Sequence, residues 1–125
     1  MDINALKPAI GYLVATFLTT AGLTTILNPI LRSKNFGVTA RPGDRATLAY
    51  IKPMGARDLS LGLTIGMFMY RGDQESAGLV TLMALGGPVM DAWAVWSYNG
   101  RLKEAWPHII GGCIVGAMGT WVEAI

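Results

Sequence analysis

Apolar residues in this chain fall into runs separated by short polar segments. The first run, Ala9 to Leu31, holds 23 residues without a charge, entered after Lys7 and closed by Arg32. A helix needs about 20 mostly apolar residues to cross the hydrocarbon of a bilayer. A secretory signal peptide would show a shorter apolar core and a small-residue cleavage site. The length and the basic stop instead predict a retained span over 9–31. A second run, ending at Tyr70, predicts a span over about 54–71 whose first turn begins near Pro53. The third, 76–98, is interrupted by Gly86-Gly87-Pro88 and by Asp91, and the fourth covers 106–122 before Glu123. The expected fold class is all-α, a four-helix transmembrane bundle forming a single domain over residues 1–125.

The intervening segments are short and polar. Residues 32–56 form the longest, where Pro42-Gly43 and Pro53 mark turns and Ala46 to Ile51 suit one short helical stretch. Arg71-Gly72-Asp73-Gln74-Glu75 reads as a tight turn, and residues 99–104 form the last loop.

Composition agrees with a bilayer setting. Of 125 residues, 52% are hydrophobic and 14% charged, and mean hydropathy is +0.42. Soluble domains carry about 25% charged residues, and a small domain has a large surface to cover. A net charge of +2 is too small to imply nucleic acid. The single cysteine, Cys113, excludes an internal disulfide and any cysteine-based metal cluster, and free cysteine usually behaves as a small core residue.

The positive charges predict orientation. Four spans put Arg32, Lys34, Arg41, Arg45, Lys52, Arg57, Arg101 and Lys103 on one side, against Lys7 and Arg71 on the other. Basic loops face the cytosol, so both termini are expected on the non-cytosolic side. Trp93, Trp96, Tyr98 and Trp106 then form an aromatic belt at the cytosolic face, with Tyr12, Tyr70 and Trp121 at the opposite one.

Ionisable groups at membrane depth are costly and mark candidate function. Here they are Arg57, Asp58, Asp91 and His108, with Asn28 as a further polar group. In the expected topology each helix brings one or more of them to the same leaflet. Helical spacing places Asp58 with Gly62 and Gly66, His108 with Gly112, Gly116 and Gly119, and Gly87 with Asp91 and Ala94. Small-residue stripes mark packed helix faces, so the ionisable groups should point inward. A purely structural polar cluster locking helices together is the competing reading. Asn28 before Pro29 also reads as a helix-terminus device.

The functional reading is a pocket open to lipophilic molecules. A desolvated Asp beside a His exchanges protons near neutral pH, which suits general acid and base roles. Asp91 and His108 are the candidate proton-transfer pair. Asp58 and Arg57 would orient them, and Arg57 would stabilise an enolate or hold the carboxylates ionised. Asn28, Trp93 and Trp106 are candidate substrate contacts. Phosphate-loop, dinucleotide and C-x-x-C motifs are absent from the sequence. No cofactor is expected, and one histidine with two aspartates makes a poor metal set. The glycine stripes suit packing within one chain or between chains, so a homo-oligomer is allowed.

GARDLSLGL at 55–63 resembles the signature of a family of small four-span membrane proteins, domain of unknown function 4267. NPILRSKNFGV after the first run, VMDAWAVWSYNG at the end of the third and EAWPHIIGG opening the fourth are similar to the same family. The positions fitting its pattern are Arg57, Asp58, Gly62, Asp91 and His108. Such proteins occur in bacteria and filamentous fungi, in fungi sometimes beside biosynthetic enzymes for polyketides or terpenoids. The resemblance therefore implies a role in secondary-metabolite biosynthesis, in the endoplasmic reticulum membrane if the source is fungal. Together these readings give an isomerase or cyclase acting on a lipophilic small molecule. The alternative is a non-catalytic membrane protein that binds, shuttles or scaffolds such metabolites or partner enzymes.

Overall fold

Asn28 and Pro29 end the first helix sooner than hydropathy alone suggests. The residue before a proline is pushed out of the helical region, and Asn28 sits at φ −134° and ψ 67°. The computed structural model describes residues 3–123. After a 3-10 turn at Ile3–Ala5 it contains α1 (Leu6–Leu27), α2 (Pro29–Ser33), a 3-10 turn at Lys34–Phe36, α3 (Arg45–Tyr70), α4 (Gln74–Met83), α5 (Gly86–Asn99) and α6 (Leu102–Glu123). The fold is all-α, and no strand occurs among the described residues.

Several boundaries differ from the sequence expectation, and the last helix starts at Leu102, inside the loop expected at 99–104 and ahead of the span expected from 106. The predicted first span, 9–31, divides at Asn28 into α1 and α2. The polar stretch after Asp44 is helical throughout, so the short helix expected at 46–51 and the span expected from 54 are one 26-residue helix running through Pro53. The third apolar run is two helices, α4 and α5, parted at Ala84 and Leu85.

Aspartate caps start two of the helices. The Asp44 carboxylate accepts from the Thr47 N–H at 3.1 Å, and Asp73 accepts from the Ser76 N–H at 3.0 Å, each satisfying a donor that a helix start leaves open. Hydrogen bonds from the Thr47 side chain and backbone hold the Asp44 carboxyl below its ordinary range, and Ser76 does the same for Asp73.

Neighbouring helices run antiparallel. Along α1 and α3, Gly11 meets Met69, Gly62 meets Thr19 and Gly55 meets Thr25, so partners step in opposite directions. A Cβ added at Gly62 would lie 2.8 Å from the Ala15 carbonyl oxygen, and one at Gly55 would lie 2.9 Å from the Gly22 carbonyl oxygen. Only glycine permits backbones to approach this closely. Helix α6 packs along α4 and α5, with Gly112 against Pro88, Gly116 against Leu85 and Gly119 against Leu82. These glycines are packed within the chain. Ile65, fully buried, centres a core with Val14, Ala15, Met69 and Ala77.

Two stretches, Leu6–Leu27 and Gln74–Tyr98, are long and apolar enough to cross a membrane. Their most apolar portions are only 28% and 22% buried inside the protein, whereas a core helix of a soluble domain is mostly buried. Leu13, Phe17, Leu27, Met83 and Val89 all face outward.

Candidate functional site

The site begins with one arginine. Arg57 lies in the middle of α3, and all three of its guanidinium nitrogens reach carboxylates. Its Nε donates to Asp58 Oδ1 at 2.9 Å, Nη1 to Asp91 Oδ1 at 3.3 Å and Nη2 to Asp91 Oδ2 at 3.0 Å. Nη2 also stands 2.9 Å from Asp58 Oδ1. The Asp91 contact is a two-point fork, the geometry in which a planar guanidinium binds carboxylate best. Residues adjacent in a helix do not face one another, and the long arginine stem lets the head turn across to Asp58.

Gly87 makes room for this arrangement. It precedes Asp91 by one helical turn on α5, and a Cβ there would lie 3.1 Å from Arg57 Cζ. The guanidinium therefore rests against backbone where any other residue would place a side chain. The Asp91 side chain is 9% exposed and that of Arg57 34%. The pair is a clasp between α3 and α5 that one side still opens to the cavity.

His108, in the second turn of α6, is held by the 3-10 turn. Its Nε2 lies 2.7 Å from the Asn35 carbonyl oxygen, and its ring stacks on Phe36 with centroids 5.4 Å apart. A carbonyl only accepts, so Nε2 donates in this contact, and Nδ1 makes no hydrogen bond among the described residues. The turn itself is fixed by Ser33, which is fully buried. The Ser33 hydroxyl donates to the Ile30 carbonyl at 2.6 Å and accepts from the Ala40 N–H at 3.0 Å. Gly37, at φ 68°, then turns the chain away.

Arg57, Asp58, Asp91 and His108 line one cavity of about 180 Å³, together with Arg32, Asn35, Phe36 and an apolar wall that includes Phe17, Leu18, Leu61 and Val115. The expected pair of Asp91 and His108 shares this cavity without a direct bond: Asp91 is taken by Arg57 and His108 by Asn35.

Other expected residues lie elsewhere. Asn28 does not line the cavity; its side chain caps α2, accepting from the Leu31 N–H at 3.2 Å. Trp93 and Trp106 are 58% and 54% exposed and are absent from the cavity wall. Trp93 is turned about 200° around its helix from Asp91, and Trp106 by the same amount from His108, although its neighbour Pro107 lines the cavity. Cys113 is exposed and not a core residue. The side chains of Trp121 and Glu123 lie outside the described residues. Among the described residues, no group of three His, Cys, Asp or Glu side chains is placed to hold a metal.

Three cavity residues escaped sequence reasoning. Arg32 counted there only as a basic loop residue, and Asn35 and Phe36 only as part of the stretch NPILRSKNFGV that resembles the family. Asn35 acts through its backbone, which no side-chain pattern reveals. The position of Phe36 close to Arg32, in an otherwise polar segment, was the available signal.

No curated protein and no solved structure matches the chain. Residues 15–122, which include every residue lining the cavity, match the domain of unknown function DUF4267, and the chain belongs to that family.

Proposed function

We propose that this chain is a small multi-pass membrane enzyme, a cofactor-independent isomerase or cyclase that moves a proton within a lipophilic small molecule. The observation that carries the reading is the meeting of Arg57, Asp58, Asp91 and His108, from three helices, on one cavity wall. Asp91 supplies an acceptor carboxylate, His108 exchanges through Nδ1, and a substrate between them gives up a proton at one atom and regains it at another. Arg57 and Asp58 hold the carboxylate in place. An apolar wall keeps water scarce, which favours rearrangement over hydrolysis.

The membrane part of this proposal is a four-helix transmembrane bundle in which α1, α3, the α4–α5 rod and α6 each span. The exposed Trp93, Trp96, Tyr98 and Trp106 suit an interfacial belt. The basic loops would face the cytosol and the termini the other side. Should the source be fungal, the endoplasmic reticulum membrane and a secondary-metabolite pathway are the proposed setting.

A second reading is favoured by one observation. Each Arg57 nitrogen is already engaged by a carboxylate, as in a clasp that only fastens helices. The chain would then bind, carry or scaffold lipophilic molecules without changing them.

His108→Gln separates the two. Glutamine keeps a donor for the Asn35 carbonyl and cannot take up a proton. In a strain lacking the gene, the enzyme reading expects an isomeric precursor to accumulate, with wild type restoring the product and His108→Gln failing to do so. Full restoration by His108→Gln removes the proton-transfer role, and lower flux with unchanged products favours the carrier.

A further inference from the structure

The cavity contains a second guanidinium with a different bonding state. Arg57 and its two carboxylates carry a formal charge of −1 between them, and every Arg57 nitrogen faces a carboxylate. Arg32, on α2, lines the same cavity. Its Nε lies 3.4 Å from the Thr25 hydroxyl, and its two terminal nitrogens make no hydrogen bond or ion pair among the described residues. Asp58 lies within Coulombic reach of it without forming an ion pair. The forked end of Arg32, the part suited to oxyanions, is therefore unengaged on a residue of the cavity wall, and the Asn28 and Ser33 hydrogen bonds fix the short helix that carries it.

A second cavity, open along the outward-facing Leu13 and Phe17, shares part of its wall with the first. About 340 Å³ in volume, it lies between α1 and α6 and is lined by apolar residues and glycine, including Leu13, Ile114 and Met118. Phe17, Gly111 and Val115 line both cavities. A Cβ added at Gly111 would meet nothing within 4 Å, so this glycine leaves space and does not serve packing. The polar cavity alone, at about 180 Å³, is below the roughly 300–1,000 Å³ of ordinary ligand sites. It has room for a head group but not for a whole lipophilic ligand.

We propose that the two cavities form one site for a single-chain amphiphile, with an anionic head (a carboxylate or acidic enol) bound by Arg32 and an apolar tail between α1 and α6. This rests on the proposed function in taking the polar cavity as the ligand site, and it adds the chemical class of the ligand. It also reassigns a role: Arg32, and not the engaged Arg57, meets negative charge on the ligand.

The test is titration of the full chain, in phosphatidylcholine nanodiscs, with dodecanoate and with dodecanol. Wild type should bind dodecanoate about ten-fold more tightly, the scale of one charge-assisted contact. Arg32→Gln should bring the acid down to the level of the alcohol, while Arg32→Lys keeps most of the preference. Arg41→Gln, which removes an exposed cation outside the cavity, should leave the preference intact. Gly111→Leu should weaken both probes equally by filling the groove. Equal binding of acid and alcohol by wild type overturns the anionic head while sparing the cavity as a lipophilic site. Binding of neither probe overturns this inference and the ligand-site reading together. An undiminished preference in Arg32→Gln, or its loss in Arg41→Gln, removes Arg32 as the anchor. Displacement of dodecanoate by phosphatidic acid added to the disc would overturn the single-chain ligand in favour of bilayer lipid.

Discussion

Helix α1 presents two faces that use glycine in opposite ways. Toward α3, Gly62 and Gly55 bring backbones so close that an added methyl would lie within 3 Å of a carbonyl oxygen. Toward α6, Gly111 borders open space that joins a polar cavity. The first interface gains contact from small residues, and the second gains room. Glycine spacing alone therefore does not tell packing from binding; what stands opposite each glycine does.

The largest expected effect breaks the tight face. Gly62→Leu forces α1 from α3, and overpacking of this kind costs about 3 kcal/mol or more, so thermal unfolding in detergent should show a collapse in Tm. Gly111→Ala should hold or raise Tm, because a helical alanine in open space gains about 0.5 kcal/mol over glycine. Equal losses at the two positions would erase the distinction between the faces.

A smaller effect probes what holds the open face together. Arg57→Gln leaves Asp58 and Asp91 near one another without their shared cation. Loss of one partner from a fully buried pair costs about 3–5 kcal/mol. With the Arg57 side chain 34% exposed, about 2 kcal/mol is expected. Arg57→Met combined with Asp91→Leu should cost less than Arg57→Gln alone, since only one carboxylate, Asp58, then lacks its cation. Denaturation midpoints of the variants check this, and a larger loss in the double variant would show that the fork stabilises beyond charge balance.

The smallest effect lies outside both faces. The Asp44 carboxyl is held below its ordinary value of 3.8 in the folded state. Its cap therefore contributes fully above that value and is lost as pH falls through the lowered one. Asp44→Ser keeps a capping oxygen without a titrating group, so its Tm should fall less steeply than that of wild type from pH 5 toward pH 2. A matching slope would assign the acid sensitivity to other groups.

Much of this was legible along the chain, for a physical reason. Helix type and a packed face at Gly62 follow from long apolar runs and four-residue small-residue spacing, both local signals; that α1 is the helix packed there, against Gly55 as well, does not. The gathering of Arg57, Asp58, Asp91 and His108 follows from helices reversing direction at short turns. Bonding within the cavity was not legible. An arginine choosing its immediate neighbour and a carboxylate 34 positions away depends on stem length and on the gap at Gly87. The His108 partner is a backbone carbonyl, which every residue carries. Trp93 and Trp106 lie two residues from Asp91 and His108, close to the opposite side of the helix, and so stay off the cavity wall.

The interruption between α4 and α5 has a consequence for rotation. The chain there tightens without opening: Leu85 N–H bonds the Leu82 carbonyl at 3.1 Å and Gly87 N–H the Ala84 carbonyl at 3.1 Å, both one residue shorter than the helical pattern. A 3-10 step turns about 120° per residue against about 100° in an α-helix. Two such steps overwind α5 relative to α4 by roughly 40°. Ala77 and Thr81 thus keep their azimuth toward the core while Asp91 is swung round to meet Arg57. In an unbroken α-helix the steps from Ala77 would leave Asp91 about 40° short of the azimuth of Ala77, and the overwinding closes that gap.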